Sequence, residues 1–152
     1  MKTALWIGLC VSLGLMGSVV RGDDVAIGKA APEFSLSDTH GAATSLSTFK
    51  GKYVVLEWSN FDCPFVKKHY GSGNMQSLQK TYTGKGVVWL TINSSAAGKQ
   101  GNYPADKWNE MIKEKSAAAT AVLLDPDGKV GKLYGAKTPP HMFVINPEGV
   151  LI

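Results

Sequence analysis

Two uninterrupted apolar runs, separated by a segment of helical period, set the pattern of this chain. Residues 52–58, "KYVVLEW", and residues 87–92, "VVWLTI", read as strands covered on both faces, because no polar face alternates with the apolar one. Between them, helical character begins at Pro64, breaks at Gly71-Ser72-Gly73, and resumes with Met75, Leu78 and Tyr82 at i, i+3 and i+7. The helix should therefore kink or restart near Gly73. Upstream, "PEFSLS" over residues 32–37 alternates strictly and runs into a "DTHG" turn, which predicts a short N-terminal hairpin. Downstream comes a long polar connection over residues 93–103, then a helix over residues 106–116 with Trp108, Met111 and Ile112 facing inward. A short strand "AVLLD", a turn with a short helix over "PDGKVGKLYG", a strand "HMFVIN" and a "PEG" turn into Val150-Leu151-Ile152 complete the series. Buried strands alternating with helices predict an α/β domain, a three-layer sandwich.

The first residues stand apart from this pattern. Lys2, an apolar run over residues 5–16 and small residues at Val20 and Gly22 read as a secretory signal peptide over residues 1–22. A membrane anchor is the competing reading, but the run falls short of the roughly 20 apolar residues that span a bilayer. Cys10 lies inside this segment and would leave with it. Residues 23–152 are then one domain, exported to the periplasm or the extracellular space, with no stable membrane insertion after cleavage.

Composition removes several classes of function. The net charge of +4 falls to +2 without Lys2 and Arg21, 14 basic against 12 acidic residues, and the lysines are scattered, so nucleic acid is not an expected partner. A disulfide framework is excluded because Cys63 has no intramolecular partner in the mature segment. That thiol is either buried packing or reactive.

Its position favours chemistry. Cys63 follows a buried strand and precedes Pro64, which fits the first turn of a helix. The N-terminal field and free N–H groups of such a helix form the environment that activates a thiol as nucleophile. A buried packing cysteine is the alternative. Glu57, on the strand itself, would be partly desolvated and suited to proton transfer. It could also emerge at the sheet's end and pair with a surface lysine. His69 lies six residues beyond Cys63, on the far side of a straight helix, and His40 is a turn residue. His141 could approach Cys63, yet one cysteine and two unplaced histidines make a weak metal signal, and neither a metal nor another cofactor is expected. The loop over residues 93–103 leaves the sheet edge that presents Cys63 and either borders the site or is a surface insertion.

The segment "YVVLEWSNFDCPFVKKH", followed by "KTPPHMFVINPEG", resembles the thioredoxin fold, and within it the redoxins related to alkyl hydroperoxide reductases, peroxiredoxins and secreted thiol-disulfide reductases. The resemblance covers residues 26–152. It implies catalytic roles for Cys63, Glu57 and Asn60 and substrate contacts from Pro140, Pro139, Trp58 and Pro64. Pro140 takes the place of the family's cis-proline, and the residue before it ordinarily offers a backbone N–H to a bound peptide; Pro139 has none. The resemblance also shows a missing thiol. A C-x-x-C starting at Cys63 would end at Val66, and one ending at Cys63 would start at Asn60. The peroxiredoxin pattern P-x-x-x-[TS]-x-x-C meets Leu56, Asn60 and Cys63, which lacks the proline and leaves Asn60 to donate where a hydroxyl would.

These residues imply a thiol-dependent redox protein, a thiol-disulfide oxidoreductase or peroxiredoxin-like antioxidant, working through one nucleophilic cysteine. Its partners would be a disulfide or peroxide substrate and an external thiol or thioredoxin-like donor. A one-cysteine peroxidase and a non-catalytic thioredoxin-fold binding module are the alternatives. The resembling fold finishes its last hairpin and adds a C-terminal helix. The run ending at Ile152 leaves both unbuilt, so an apolar sheet face and an unfinished edge are expected to be exposed.

Overall fold

The structure is a computed structural model that describes residues 25–152, so the predicted signal peptide lies outside it. The two apolar runs form β3 (Val54–Trp58) and β4 (Val88–Asn93), and every residue of both is buried. They pair in parallel with Glu57 opposite Thr91. The hairpin is β1 (Ser35–Asp38) and β2 (Ala43–Ser45), and its turn is tied by Asp38 Oδ1, which accepts the N–H groups of His40 and Ala42. With β5 (Ala121–Leu124) and β6 (His141–Ile145) the sheet has the order β2-β1-β5-β4-β3-β6. β6 lies antiparallel beside β3 and places His141 opposite Trp58.

Helices flank the sheet as the periodicity requires. α1 (Pro64–Gly71) and α2 (Asn74–Thr83) are separated by Gly73, whose φ of 75° is the left-handed conformation a glycine adopts without penalty. α3 (Ala105–Glu114) follows the long loop, and α4 (Lys129–Leu133) is a short helix before β6.

Period-two alternation in the central strands makes two cores. Val54, Leu56 and Trp58 join Leu90, Ile92, Val130, Tyr134 and Ile145 on one face. Val55 and Trp89 meet Phe61, Val66, Tyr70, Met75 and Trp108 on the other, under α1, α2 and α3. Each large apolar side chain fully buried this way contributes about 1.5–3 kcal/mol. The result is the predicted three-layer arrangement, with one outer layer built from α4, a 3-10 turn at Leu46–Phe49 and the N-terminal segment.

Residues 150–152 are tied to the rest of the chain by backbone hydrogen bonds, while β6 is an edge strand of the sheet. Ile152 N–H donates to Val144 O, Leu151 N–H donates to Lys29 O and Leu151 O accepts from Gly28, so these residues are held on both sides. Near the β6 edge the sheet does expose apolar side chains: Tyr53, Met142 and Val144, beside Leu78 and Tyr82 of α2.

Candidate active site

Cys63 is the N-cap residue of α1, partly exposed, and the free cysteine among the described residues. The tight turn after β3 sets it there, because Cys63 N–H donates to Asn60 O at 2.9 Å and Lys67 N–H then takes up Cys63 O at 2.9 Å. Pro64 begins the helix without wasting a donor. The sulfur caps no backbone N–H of its own helix. It donates instead to Pro139 O at 3.2 Å, across the gap to the segment before β6. The Pro139–Pro140 peptide bond is cis. Both prolines are half-buried, while Pro64 and Phe65 are exposed, so the thiol has an apolar rim.

Val66, one helical turn further on, is fully buried in the core. In the register where a C-x-x-C starts at Cys63, the position of the second thiol is therefore filled by packing.

Asn60 has a different place from the one its spacing suggested. Its Nδ2 donates to Gln100 O at 3.1 Å and its Oδ1 accepts Asp62 N–H at 2.9 Å, so the amide serves the turn and the loop rather than the thiol. The contact is close enough to require glycine opposite it. A Cβ on Gly101 would fall 2.3 Å from Asn60 Cγ, and Gly101 has φ of 83°. Tyr103 adds a second tie, its hydroxyl donating to Asp62 Oδ2 at 2.6 Å. The loop over residues 93–103 thus clamps the turn that carries Cys63.

Glu57 is fully buried with four neutral side chains around its carboxylate and no cation. Trp89 Nε1 donates to Oε2 at 2.8 Å, Gln79 Nε2 at 3.1 Å and Thr91 Oγ1 at 3.3 Å, while the Tyr70 hydroxyl donates to Oε1 at 3.1 Å. Charge-assisted hydrogen bonds of this kind offset much of the cost of burying a carboxylate. Burial, and then the Glu57 charge, push the Tyr70 phenol far above its ordinary range, so it stays a donor. Cys63 is not among the partners of Glu57. The network instead joins β3 and β4 to α1 and α2. Sequence reasoning missed Tyr70, Gln79, Trp89 and Thr91, although Trp89 and Thr91 were recoverable as alternate residues of β4 that share the Glu57 face.

Trp58 is 5% exposed and packs against Tyr134 and Phe143, its Nε1 donating to Ser94 Oγ at 3.0 Å. Only its edge reaches a surface cleft. His69 pairs with exposed Asn74, and His141 Nδ1 accepts Lys137 N–H while its ring lies on Phe143. No cluster of three metal-ligating side chains occurs among the described residues, and no described helix is long and apolar enough to cross a membrane.

A cysteine at the N-cap of the helix after a central parallel strand, facing a cis-proline segment just before the neighbouring antiparallel strand, defines a thioredoxin-like redoxin. The chain belongs to the AhpC/TSA family, which it matches over residues 27–152. It is 29% identical over 154 residues to the thiol-disulfide oxidoreductase ResA of Bacillus subtilis, covering 99% of this chain and 80% of that protein. The thioredoxin-like protein YneN of the same organism is 27% identical over 124 residues, covering 82% and 68%. Among solved structures, an uncharacterized conserved protein from Geobacillus kaustophilus aligns with a TM-score of 0.75 at 25% identity, over 84% of this chain and 67% of that one. A putative thiol:disulfide interchange protein DsbE from Chlorobium tepidum aligns with a TM-score of 0.65 at 25% identity, over 84% and 82%.

Proposed function

We propose that the protein is an exported thiol-disulfide oxidoreductase that works by exchange through the single thiol of Cys63. The observation that carries this reading is the placement of a partly exposed sulfur at a helix N-cap, against the carbonyl of Pro139 and beside an apolar rim. The Cys63 thiolate attacks one sulfur of a substrate disulfide, a Cys63–substrate disulfide forms, and the other substrate sulfur leaves with the electron pair. With Val66 buried in the second position, an external thiol completes the cycle. The similarity to ResA and to the DsbE structure supports disulfides as substrates.

Peroxide is the weaker substrate. Activating a peroxide needs donors aimed at its oxygens, and the hydrogen-bond partner of the sulfur here is an acceptor, Pro139 O. Glu57 acts as a positioning residue, holding α1 through Tyr70. Pro64, Pro139 and Pro140 contact the substrate.

The test is the rate at which Cys63 forms a mixed disulfide with a small aromatic disulfide, compared with an unstructured cysteine peptide, and the disulfide reductase activity of the Cys63→Ser variant. Faster reaction and loss of activity on substitution are expected. A thiol that reacts no faster than the peptide would leave a thioredoxin-fold binding module as the reading.

A further inference from the structure

Beside the thiol runs a cleft of about 240 Å³, lined among others by Ser59, Asn93, Ser94, Lys137, Thr138 and Pro139. Pockets for drug-sized ligands hold about 300–1,000 Å³, so this one fits a molecule on the scale of an amino acid. It reaches Cys63 through two shared residues. Asn60 and Pro139 both line it, and their carbonyl oxygens accept the backbone N–H and the thiol of Cys63.

The polar groups of the wall divide into used and free. Asn60 is bonded to Gln100, and Asn93 donates to Ser59 O and Ser95 Oγ. Ser94 donates to Asp125 Oδ2 and accepts from Trp58. Asp125, buried behind Ser94, also accepts the N–H groups of Val130 and Gly131, so its charge is not offered to the cleft. Ser95 Oγ accepts from Asn93, and three side chains remain that take part in no hydrogen bond among the described residues. The Ser59 hydroxyl is buried, with the residue 3% exposed, and has no hydrogen-bond partner. Thr138 and Lys137 stand exposed at the rim. A buried hydroxyl left unpaired costs about 1–3 kcal/mol, which a ligand can recover. All three can donate, and one is cationic, which selects an acidic group.

We propose that this cleft seats the carboxylate of a low-molecular-weight thiol that serves as the external reductant. The inference rests on Cys63 acting by exchange. With the carboxylate on Ser59, Thr138 and Lys137, the small thiol's sulfur attacks the Cys63 sulfur of the Cys63–substrate disulfide. A disulfide forms between the small thiol and Cys63, and the substrate sulfur leaves with the electron pair. A second small thiol then attacks the sulfur of the first, the symmetrical disulfide forms, and the Cys63 sulfur leaves with the electron pair.

The experiment begins from the neutral, chromogenic mixed disulfide of Cys63 with pyridine-4-thiol. Its reduction is followed with 3-mercaptopropionate and with uncharged 2-mercaptoethanol, each rate divided by that for the same disulfide on a cysteine peptide. The carboxylate thiol should show a normalised advantage of about two- to fivefold, the range an exposed ion pair supplies. That advantage should collapse in Lys137→Gln and shrink in Ser59→Ala. A ratio of one in the unmodified protein would overturn the proposal. A second measurement is independent of thiol reactivity: 3-(methylthio)propionate, which cannot exchange, should shift the amide resonances of Ser59 and Thr138 saturably. If Cys63 forms no mixed disulfide, the exchange reading fails while this titration still decides the cleft, and unshifted resonances reject it.

Discussion

The thiol of Cys63 donates to the carbonyl oxygen of Pro139 at 3.2 Å, joining residues 76 positions apart in the chain. This contact ties the helix start to the segment before β6. Pro139 presents a carbonyl there but no N–H, so an extended peptide bound against it, as proposed, would lack one backbone hydrogen bond that another residue would supply.

Pro139→Ala should therefore raise kcat/KM for a peptide disulfide by about two- to tenfold, the worth of one net hydrogen bond of about 0.5–1.5 kcal/mol. A small aromatic disulfide makes no such bond, and its rate should hold. Equal changes for both substrates would show that the carbonyl contact, not the missing donor, controls the rate.

For Glu57 the expectation concerns stability first. Glu57→Leu leaves the donors of Trp89, Gln79, Thr91 and Tyr70 without an acceptor and should cost more than about 3 kcal/mol in denaturant unfolding, since each unpaired buried donor costs about 1–3 kcal/mol. Glu57→Gln keeps one oxygen and should cost about 1–3 kcal/mol. A positioning role predicts that Glu57→Gln slows exchange without changing the shape of the pH-rate profile. A displaced profile would make Glu57 the proton acceptor.

The central strands were legible because a strand buried on both faces leaves a continuous apolar run, and the break between α1 and α2 was legible because Gly73 takes a positive φ. Trp58 was less so. The family resemblance implied a substrate contact for it, whereas its parity with Val54 and Leu56 puts it in the core. Asn60 shows the limit more clearly: its amide is claimed by Gln100, 40 residues away in a loop with no periodic pattern. The pairing of Leu151 with Gly28 and Lys29 was hidden for the same reason, since residues 28–31 carry no strand signature.

The clamp on the turn that carries Cys63 can be opened at one atom. Gly101→Ala adds a Cβ into the Asn60 amide and places a side chain at φ of 83°, so loop and turn must part. A loss of about 1–3 kcal/mol and slower exchange at Cys63 are expected, the cost of strain at a positive φ plus a buried clash. Asn60→Ala removes the clash but not the φ penalty. The double variant should therefore be more stable than the sum of the two single changes, and strict additivity would mean the two residues do not press on each other.

The second tie of the clamp should depend on pH. The Tyr103 phenol is raised above its ordinary value of 10.0, first by its hydrogen bond to Asp62 and then by burial and the Asp62 charge. A raised folded value means that the bond's contribution is fully present below about pH 10 and is lost as pH rises through the higher folded value. Within that alkaline window the loop over residues 93–103 should loosen from the turn at Asp62, seen as a loss of amide protection in Asn102, whose N–H donates to Lys99 O, beyond the intrinsic rise of exchange with pH. Tyr103→Phe lacks the bond at every pH and should show the loosened loop at neutrality, with no further step in the alkaline range. Identical pH dependence in the two proteins would mean that the Asp62–Tyr103 bond does not hold the loop.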